Sequence, residues 1–473
     1  MATLFGSKRL LILFAVIAAL LYALFGYDLV RSDFTNLITI YSLLFLISYL
    51  LIERSGKNFG VLVIAGIVFR LVLLFVLPNL SQDFYRFLWD GRLLIEGINP
   101  YSFTPQMYME SSVTGFNSSG FLISQAGELY QGMGNLNGSH FSNYPPVNQL
   151  FFAIAGFFFG KSIMGSVVLL KLMLLLADLG ILYFGKKLLE VLNLPVKNIF
   201  WYFLNPFIII EFCGNLHFEG VMLFFVIWSI YLLHRGKWVW AAILLGVSVS
   251  VKLLPLLFLP LLFHYFLKNE PSKKLGISKL VPFYIITIAI VILTFLPFLT
   301  TLAIGSGNGQ SLSVISNFSQ SIALWFQNFE FNASIYYIIR WVGFEIVGWN
   351  IIGTVGKILP IITLLFTLGL AFFRKNNTTQ QLINAMLFAV SFYFLLSTTV
   401  HPWYIATPLL LSIFTKYKFP IVWSFVVFLS YSAYGANGFS ENLWLVALEY
   451  TIIIPFALWE IFDPHRHSKN ELS

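Results

Sequence analysis

The stretch Ser81–Tyr101, SQDFYRFLWDGRLLIEGINPY, follows directly on an apolar run that ends at Pro78, and it carries two aspartates and two arginines. Ionised groups are costly in lipid, so a group of them at a membrane edge points to a working site. Asp83, Arg86 and Asp90 recur at i, i+3 and i+7, which on a helix puts them along one face while Phe84, Leu88 and Ile95 point elsewhere. That face could look into a cavity. The plainer alternative is a solvated interfacial helix with an Arg86–Asp90 pair at i, i+4, and spacing alone leaves both readings open.

Composition sets the class around this stretch. The chain of 473 residues is 58% hydrophobic and only 10% charged, with a mean hydropathy of +0.84, whereas soluble domains hold about a quarter charged residues. The expectation is an all-α polytopic integral membrane protein forming one domain over residues 1–473. Runs near the roughly 20 apolar residues that cross a bilayer occur at 10–26, 37–52, 59–78, 164–185, 198–213, 219–233 and 280–303. Lys8 and Arg9 precede the first run, which is long enough to span and is read as an uncleaved helix, not a signal peptide. The sole cysteine, Cys213, excludes an intrachain disulfide framework and a cysteine-built zinc site. A net charge of +8 would suggest nucleic acid in a soluble protein, but here the bases mark cytoplasmic loops and no nucleic-acid partner is expected.

The bases also orient the chain. Lys8 and Arg9, Arg54 and Lys57, Lys186 with Lys187 and Lys197, Arg235 and Lys237, Lys268 to Lys279, Arg374 and Lys375, Lys416 and Lys418, and Arg466 with Lys469 all fit a cytoplasmic side. A crossing by 147–160 would invert every later cluster, so the FFAIAGFFF run is read as a juxtamembrane or re-entrant helix within an outer loop. The result is about fourteen crossings with both termini cytoplasmic.

Two long outer segments emerge, near 79–163 and 304–350, and function is expected there. The first is rich in Gly, Asn and Ser from Gly115 to Asn143, which argues against a packed helix and for a mobile or substrate-wrapping stretch, and closes with Asn143-Tyr144-Pro145-Pro146, a rigid helix entry. The second opens on a glycine-rich stretch and turns amphipathic and aromatic, which suits a lid resting on the membrane. Asn137, Asn317 and Asn332 begin Asn-x-Ser sequons, which matter only in a secretory pathway.

These pieces, in this order, carry a resemblance: DFYRFLWDGRLLIEGINPY after a membrane helix, YPP before a juxtamembrane helix, KLMLLLADLGILY in the next span, NPFIIIEFCGNLHFEG at an outer turn, then VKLLPLLFLPLLF and HPWY. The chain resembles the GT-C superfamily of membrane glycosyltransferases that use polyprenyl-phosphate sugars, and within it the bacterial polyprenyl-phosphate-mannose α-mannosyltransferases. The resemblance implies a GT-C-like bundle with two large extracytoplasmic loops carrying juxtamembrane helices. It also implies a common module at 59–303, two additional helices before it in 1–58, and variable C-terminal helices in 351–473. A polyprenyl-phosphate sugar donor, a glycan or glycolipid acceptor, surrounding membrane lipid and a bacterial inner-membrane location with the active site outside follow from the same likeness. The acid just beyond the helix leading into the first outer loop is the family's candidate base, which matches Asp83, with Asp90 second. Related eukaryotic lumenal glucosyltransferases carry Asp before Tyr-Pro-Pro where this chain has Asn143, which puts more weight on Asp83 and Asp90.

The chemistry fits the residue types on its own terms. Transfer from a lipid-phosphate sugar needs a carboxylate to take the acceptor hydroxyl's proton, and cations or hydrogen-bond donors to meet the charge growing on the departing phosphate. Lys252, Arg86 and His401 are the candidate phosphate ligands; His217, Glu219, Asn215, Tyr144 and Trp403 are candidate substrate contacts, with Trp89, Tyr101 and Trp325 as further aromatic candidates. Direct displacement would invert the anomeric centre, and a retaining route would need a second carboxylate as nucleophile. No cofactor or essential metal is expected, since no compact ligand motif is present. Asp83 is expected to face a cavity at the outer boundary with Lys252 close by.

Rival readings remain open at this stage. Within the membrane Arg70 and Asp178 could pair, or Lys171 could pair with Asp178 at i, i+7, and such residues also lend support to a secondary transporter or a flippase of lipid-linked sugar. The long outer loops and the absence of visible repeat halves weigh against transport. A transferase of glucose, arabinose or aminoarabinose stays open within the class.

Overall fold

The structure is a computed structural model, which describes residues 8–56, 58–113, 123–268, 270–300, 310–436 and 438–463. Lys57, Arg466, Lys469, the 114–122 part of the first outer segment and the glycine-rich opening of the second lie outside these residues. The described chain is helical apart from the two-residue strands Tyr434–Gly435 and Gly438–Phe439 and an isolated bridge between Phe331 and Thr399. In order run α1 (Lys8–Tyr27), α2 (Phe34–Arg54), α3 (Phe59–Val72), α4 (Asp83–Ile95), α5 (Pro105–Val113), α6 (Ala126–Gly138), α7 (Pro146–Phe159) and α8 (Ile163–Val191). They are followed by α9 (Glu219–His234), α10 (Trp238–Val249), α11 (Lys273–Thr300), α12 (Gln310–Gln327), α13 (Ile335–Val347), α14 (Ile352–Phe373), α15 (Thr379–Leu396) and α16 (Leu443–Phe462), with shorter helical turns between. Against the expectation of no packed helix between Gly115 and Asn143, α6 forms there, because Leu129 and Met133 give it an apolar side to bury, and its glycines show only as a kink at Gly134.

Among the described residues seven helices are long and apolar enough to cross a membrane singly: α1, α2, α8, α11, α14, α15 and α16. An eighth span results if Pro206–Gly214 and α9, bent by 118°, count as one. This is an all-α membrane protein. Two apolar runs differ from the single straight spans expected of them. The run 59–78 leaves the helix after Val72, and its freed carbonyls at Leu73 and Val76 accept from the Lys171 ammonium at 2.8 and 2.7 Å. The run 198–213 breaks at Pro206, which lacks an N–H to continue the helix, and resumes as a wide π turn over Ile209–Gly214.

The run expected to lie within the outer loop forms α7, only 14 residues long and started by Pro146 after an extended Pro145. It crosses α4 at a glycine contact. A methyl group on Gly91 would stand 2.2 Å from the Phe152 carbonyl oxygen, and one on Gly156 would stand 2.7 Å from the Gly91 carbonyl oxygen. Two glycines therefore let the backbones meet, as small residues do at helix crossings in membranes. At the far end of α7 the side chains of Phe157, Phe158 and Phe159 are exposed, as an interfacial helix end would leave them.

The intramembrane charges resolve into structural partners. Arg70 Nε lies 2.8 Å from Asp178 Oδ2 with both side chains fully buried. Arg70 also donates to the carbonyls of Gly66 and Phe203, each at 2.9 Å, and Tyr202 donates to Asp178 Oδ1 at 2.9 Å. Of the two pairings open at the sequence level, Arg70–Asp178 forms, and Lys171 instead holds the end of α3. The residues that lent the transport reading its support are thus spent on packing.

Because removing one partner of a buried pair strands the other charge, Asp178→Leu is expected to cost about 3–5 kcal/mol, and pairing it with Arg70→Met is expected to restore most of that. Unfolding transitions of the three proteins in one lipid–detergent mixture measure this. An equal loss in the double variant would shift the weight to the Gly66 and Phe203 carbonyls.

Candidate active site

Asp83 opens α4, in the first turn where the helix dipole favours an anion, and its N–H donates to Ser81 Oγ at 3.3 Å. Its side chain is half-buried. Burial pushes the Asp83 carboxyl up to about 6, the neighbouring Glu219 adds to the rise, and the charges of Lys252 and Arg31 with a hydrogen bond from Asn137 hold it from going higher. A carboxyl in that range is ionised at neutral pH and is a better base than an ordinary aspartate.

The charge of Lys252 bears on this carboxyl from a segment that α7 holds in place. The Val147 N–H donates to the Ser250 carbonyl at 2.9 Å and Asn148 Nδ2 to the Val251 carbonyl at 2.7 Å, fixing the segment just past α10 against the first outer loop. The Lys252 ammonium is ion-paired with Glu219, which starts α9, and stands 4.3 Å from the centre of the Tyr404 ring. About a third of the Lys252 side chain stays exposed.

The tight turn between the π turn and α9 supplies the next group. Leu216 there adopts φ 65°, a conformation that bulky residues avoid and that concentrates at functional sites. Asn215 Oδ1 accepts from the Leu80 N–H at 3.1 Å, tying this turn to the start of the first outer loop. His217 Nε2 stands 3.5 Å from Glu211 Oε2, and Tyr431 donates to the other Glu211 oxygen at 2.7 Å. The ring of Trp403 lies between two histidines, stacked on His217 at 3.6 Å and on His401 at 4.5 Å between ring centres. Burial, followed by the charges of Lys252 and Arg31, pushes His401 down to about 3, so at neutral pH it is a neutral hydrogen-bonding group and no cation.

Arg86 and Asp90 are arranged differently. Arg86 Nε is 2.8 Å from Asp90 Oδ1, and its guanidinium donates to the carbonyls of Asn137 and His140 at 2.9 and 2.8 Å. Asp90 further accepts from Ser142 Oγ and from Gln149 Nε2. Asp90 is fully buried and Arg86 4% exposed, so the solvated-face alternative is excluded. The pair clamps α4, the loop before Tyr-Pro-Pro, and α7. Tyr144 borders the same region, its carbonyl accepting from Tyr101 Oη at 2.6 Å and its ring edge-on to Phe87.

Trp89 and Tyr101, candidates from sequence to contact sugar or prenyl chain, are both fully buried in packing, Trp89 edge-on to Tyr108 and Tyr101 edge-on to Phe298. Trp325 lies edge-on to His401 at 5.6 Å. Missed altogether were Arg31, Glu211, Tyr404, Tyr431 and Tyr434. Glu211 had a signal, an acid inside the apolar run NPFIIIEFCG. The tyrosines had none among so many aromatics. Among the described residues no three His, Cys, Asp or Glu side chains gather closely enough to hold a metal ion. A cavity of about 500 Å³ lies off to one side, lined by Arg92, Glu96, Phe157 and Lys161 among others and by none of the groups above.

Comparison with known proteins bears on this constellation. A family model described as alpha-(1->6)-mannopyranosyltransferase, N-terminal domain, matches residues 15–268, a stretch holding Asp83, His217, Glu219 and Lys252, but not His401 or Trp403. Alpha-(1->6)-mannopyranosyltransferase A of Mycobacterium tuberculosis (strain ATCC 25618 / H37Rv) is 21% identical over 341 residues, 71% of this chain and 62% of that relative. The chain thus spans less than two thirds of the relative's length.

The two aspartates are expected to part company under mutation. Asp90→Ala strands buried Arg86 and should lower stability by about 3–5 kcal/mol, whereas Asp83→Asn removes a half-buried charge that burial opposes and should leave the unfolding transition unchanged or higher. Parallel thermal unfolding of the two variants checks this.

Proposed function

The chain belongs to the alpha-(1->6)-mannopyranosyltransferase family, and from that premise we propose that it transfers a sugar, mannose in the best-supported reading, from a polyprenyl-phosphate donor to a glycan or lipid-linked acceptor. The observation that carries the proposal is the Lys252–Glu219 ion pair beside the Tyr404 ring, whose charges bear on an Asp83 carboxyl raised to about 6. In this reading the acceptor hydroxyl oxygen attacks the sugar's anomeric carbon as Asp83 takes its proton. The bond from that carbon to the phosphate oxygen breaks, and the electron pair leaves with the phosphate, met by the Lys252 ammonium and by hydrogen bonds from neutral His401. One displacement with one carboxylate inverts the anomeric centre, so a β-linked donor yields an α product.

Arg86, expected from sequence to bind phosphate, and Asp90, the second choice for the base, act in this proposal by holding the loop in place, because they are paired with each other and bonded to the Asn137 and His140 carbonyls and to Gln149. His217, Trp403, Asn215 and Tyr144 frame the sugar side of the site. In this reading the chemistry lies on the outer face of a bacterial inner membrane with both termini cytoplasmic, which the distribution of basic clusters supports; of the roughly fourteen crossings expected, the described residues hold seven single spans, or eight with the bent pair.

The protein purified into lipid, supplied with polyprenyl-phosphate mannose and a mannosylated acceptor, is expected to form product, and Asp83→Asn to lose about 10²–10⁴-fold in kcat with donor binding retained. Movement of solute or lipid across the bilayer without transfer would overturn the proposal in favour of transport.

The pH profile gives a separate check. Asp83 works only as the carboxylate, so kcat/KM should rise with pH and level off above an apparent pKa near 6. The same raised value means that folding stability from this group is fully present at low pH and is lost as pH climbs through about 6. A rate profile with no limb in that region would remove Asp83 from the base role.

A further inference from the structure

Arg31 lies in the turn between α1 and α2, far in sequence from every motif that pointed to the site. It is half-buried, with its guanidinium carbon 3.2 Å from the centre of the Tyr434 ring. Tyr434 in turn stands 6.2 Å from Tyr431, the donor to Glu211, and 6.0 Å from Phe331, which lies 5.1 Å from His401. These contacts bring the guanidinium among the groups of the candidate site, and its charge bears on Asp83, Glu211, His217 and His401 alike.

The other cations nearby are already engaged. Arg70 is paired with Asp178, Arg86 with Asp90 and Lys252 with Glu219. Among the described residues Arg31 has no ion pair, and its Nε is buried without a hydrogen-bond partner. Holding a guanidinium half-buried without an acid costs free energy unless an anion arrives to meet it. Tyr434 helps to hold the charge through its ring and a hydrogen bond to its hydroxyl, while the Arg31 Nε is left without a partner.

Resting on the donor reading above, we propose that Arg31 is a second ligand of the donor's phosphate, supplied by the N-terminal helix pair and acting together with Lys252. A fork of N–H donors can take two phosphate oxygens at once, which Lys252 as a point charge cannot. Lys252, already shared with Glu219, then supplies part of the neutralisation and Arg31 the rest. The turn between α1 and α2 becomes part of the binding site, so the N-terminal helices do more than pack.

The test compares binding of polyprenyl phosphate with binding of the uncharged polyprenol of the same chain length, using the full chain in lipid nanodiscs. The wild type is expected to prefer the phosphate. Arg31→Gln should weaken phosphate binding about tenfold and leave polyprenol binding unchanged, with Arg31→Lys recovering part of the loss. In turnover the Arg31→Gln loss should appear in KM for the donor, while Asp83→Asn loses kcat. Equal weakening of both lipids by Arg31→Gln, or no weakening of either, would overturn the assignment and leave Arg31 a packing residue against Tyr434. A wild type that binds both lipids equally would instead overturn the donor reading, and this inference with it.

Discussion

Burying an arginine among apolar helices is tolerable when an acid meets its charge and most of its donors find partners, and this requirement organises the segment around α4. Arg86 can be 4% exposed because Asp90 neutralises it and its Nη1 donates to the Asn137 and His140 carbonyls, while its Nη2 is left without a partner. Asp90 in turn needs the Ser142 hydroxyl and the Gln149 amide. Gln149 sits on α7, which meets α4 across Gly91 and Gly156 and binds the chain at Ser250 and Val251. One buried pair thus ties α4, which Asp83 opens, to α7 and through it to the segment that carries Lys252, with no need for the pair to touch substrate.

The second outer segment closes the other side by a similar economy. Asn317 donates to the Tyr101 carbonyl and Ser321 to the Phe141 carbonyl, joining α12 to the first segment. Beyond it Phe331 pairs in parallel with the strand-like residues before His401, exchanging backbone hydrogen bonds with Thr398 and Val400. Asn332 takes a left-handed conformation there and is fully buried, its side chain on Glu449 and its N–H on Glu441. A sequon asparagine so enclosed is unavailable for glycosylation in the folded chain. The same anchoring holds His401 against Trp403 and Phe331.

The electrostatic pattern follows from where water is excluded. Burial raises the Asp83 carboxyl and depresses His401, giving a base ionised at neutral pH beside an uncharged imidazole. Positive charge near them is carried by Lys252 and Arg31. Separation of proton acceptor, neutral donor and fixed cation is the arrangement that a phosphate leaving group requires, since the phosphate needs charge stabilisation and no proton.

From the sequence alone came the membrane class, the helix carrying Asp83, Arg86 and Asp90 after the apolar run, and an α7 too short for a single span, because hydropathy, proline and charge are local properties written residue by residue. Intramembrane charges could be recognised the same way, but their partners could not: Arg70 chose Asp178 and Lys171 chose backbone carbonyls freed where α3 ends, a choice made by three-dimensional proximity. Asp83 and Asp90 share a helix face and looked interchangeable. Only tertiary packing distinguished them, by surrounding Asp90 with donors and leaving Asp83 half-buried among unlike charges. Arg31, Glu211 and Tyr431 entered the site from segments hundreds of residues apart, and no spacing rule reaches across that distance, since such contacts exist only after the helices have packed.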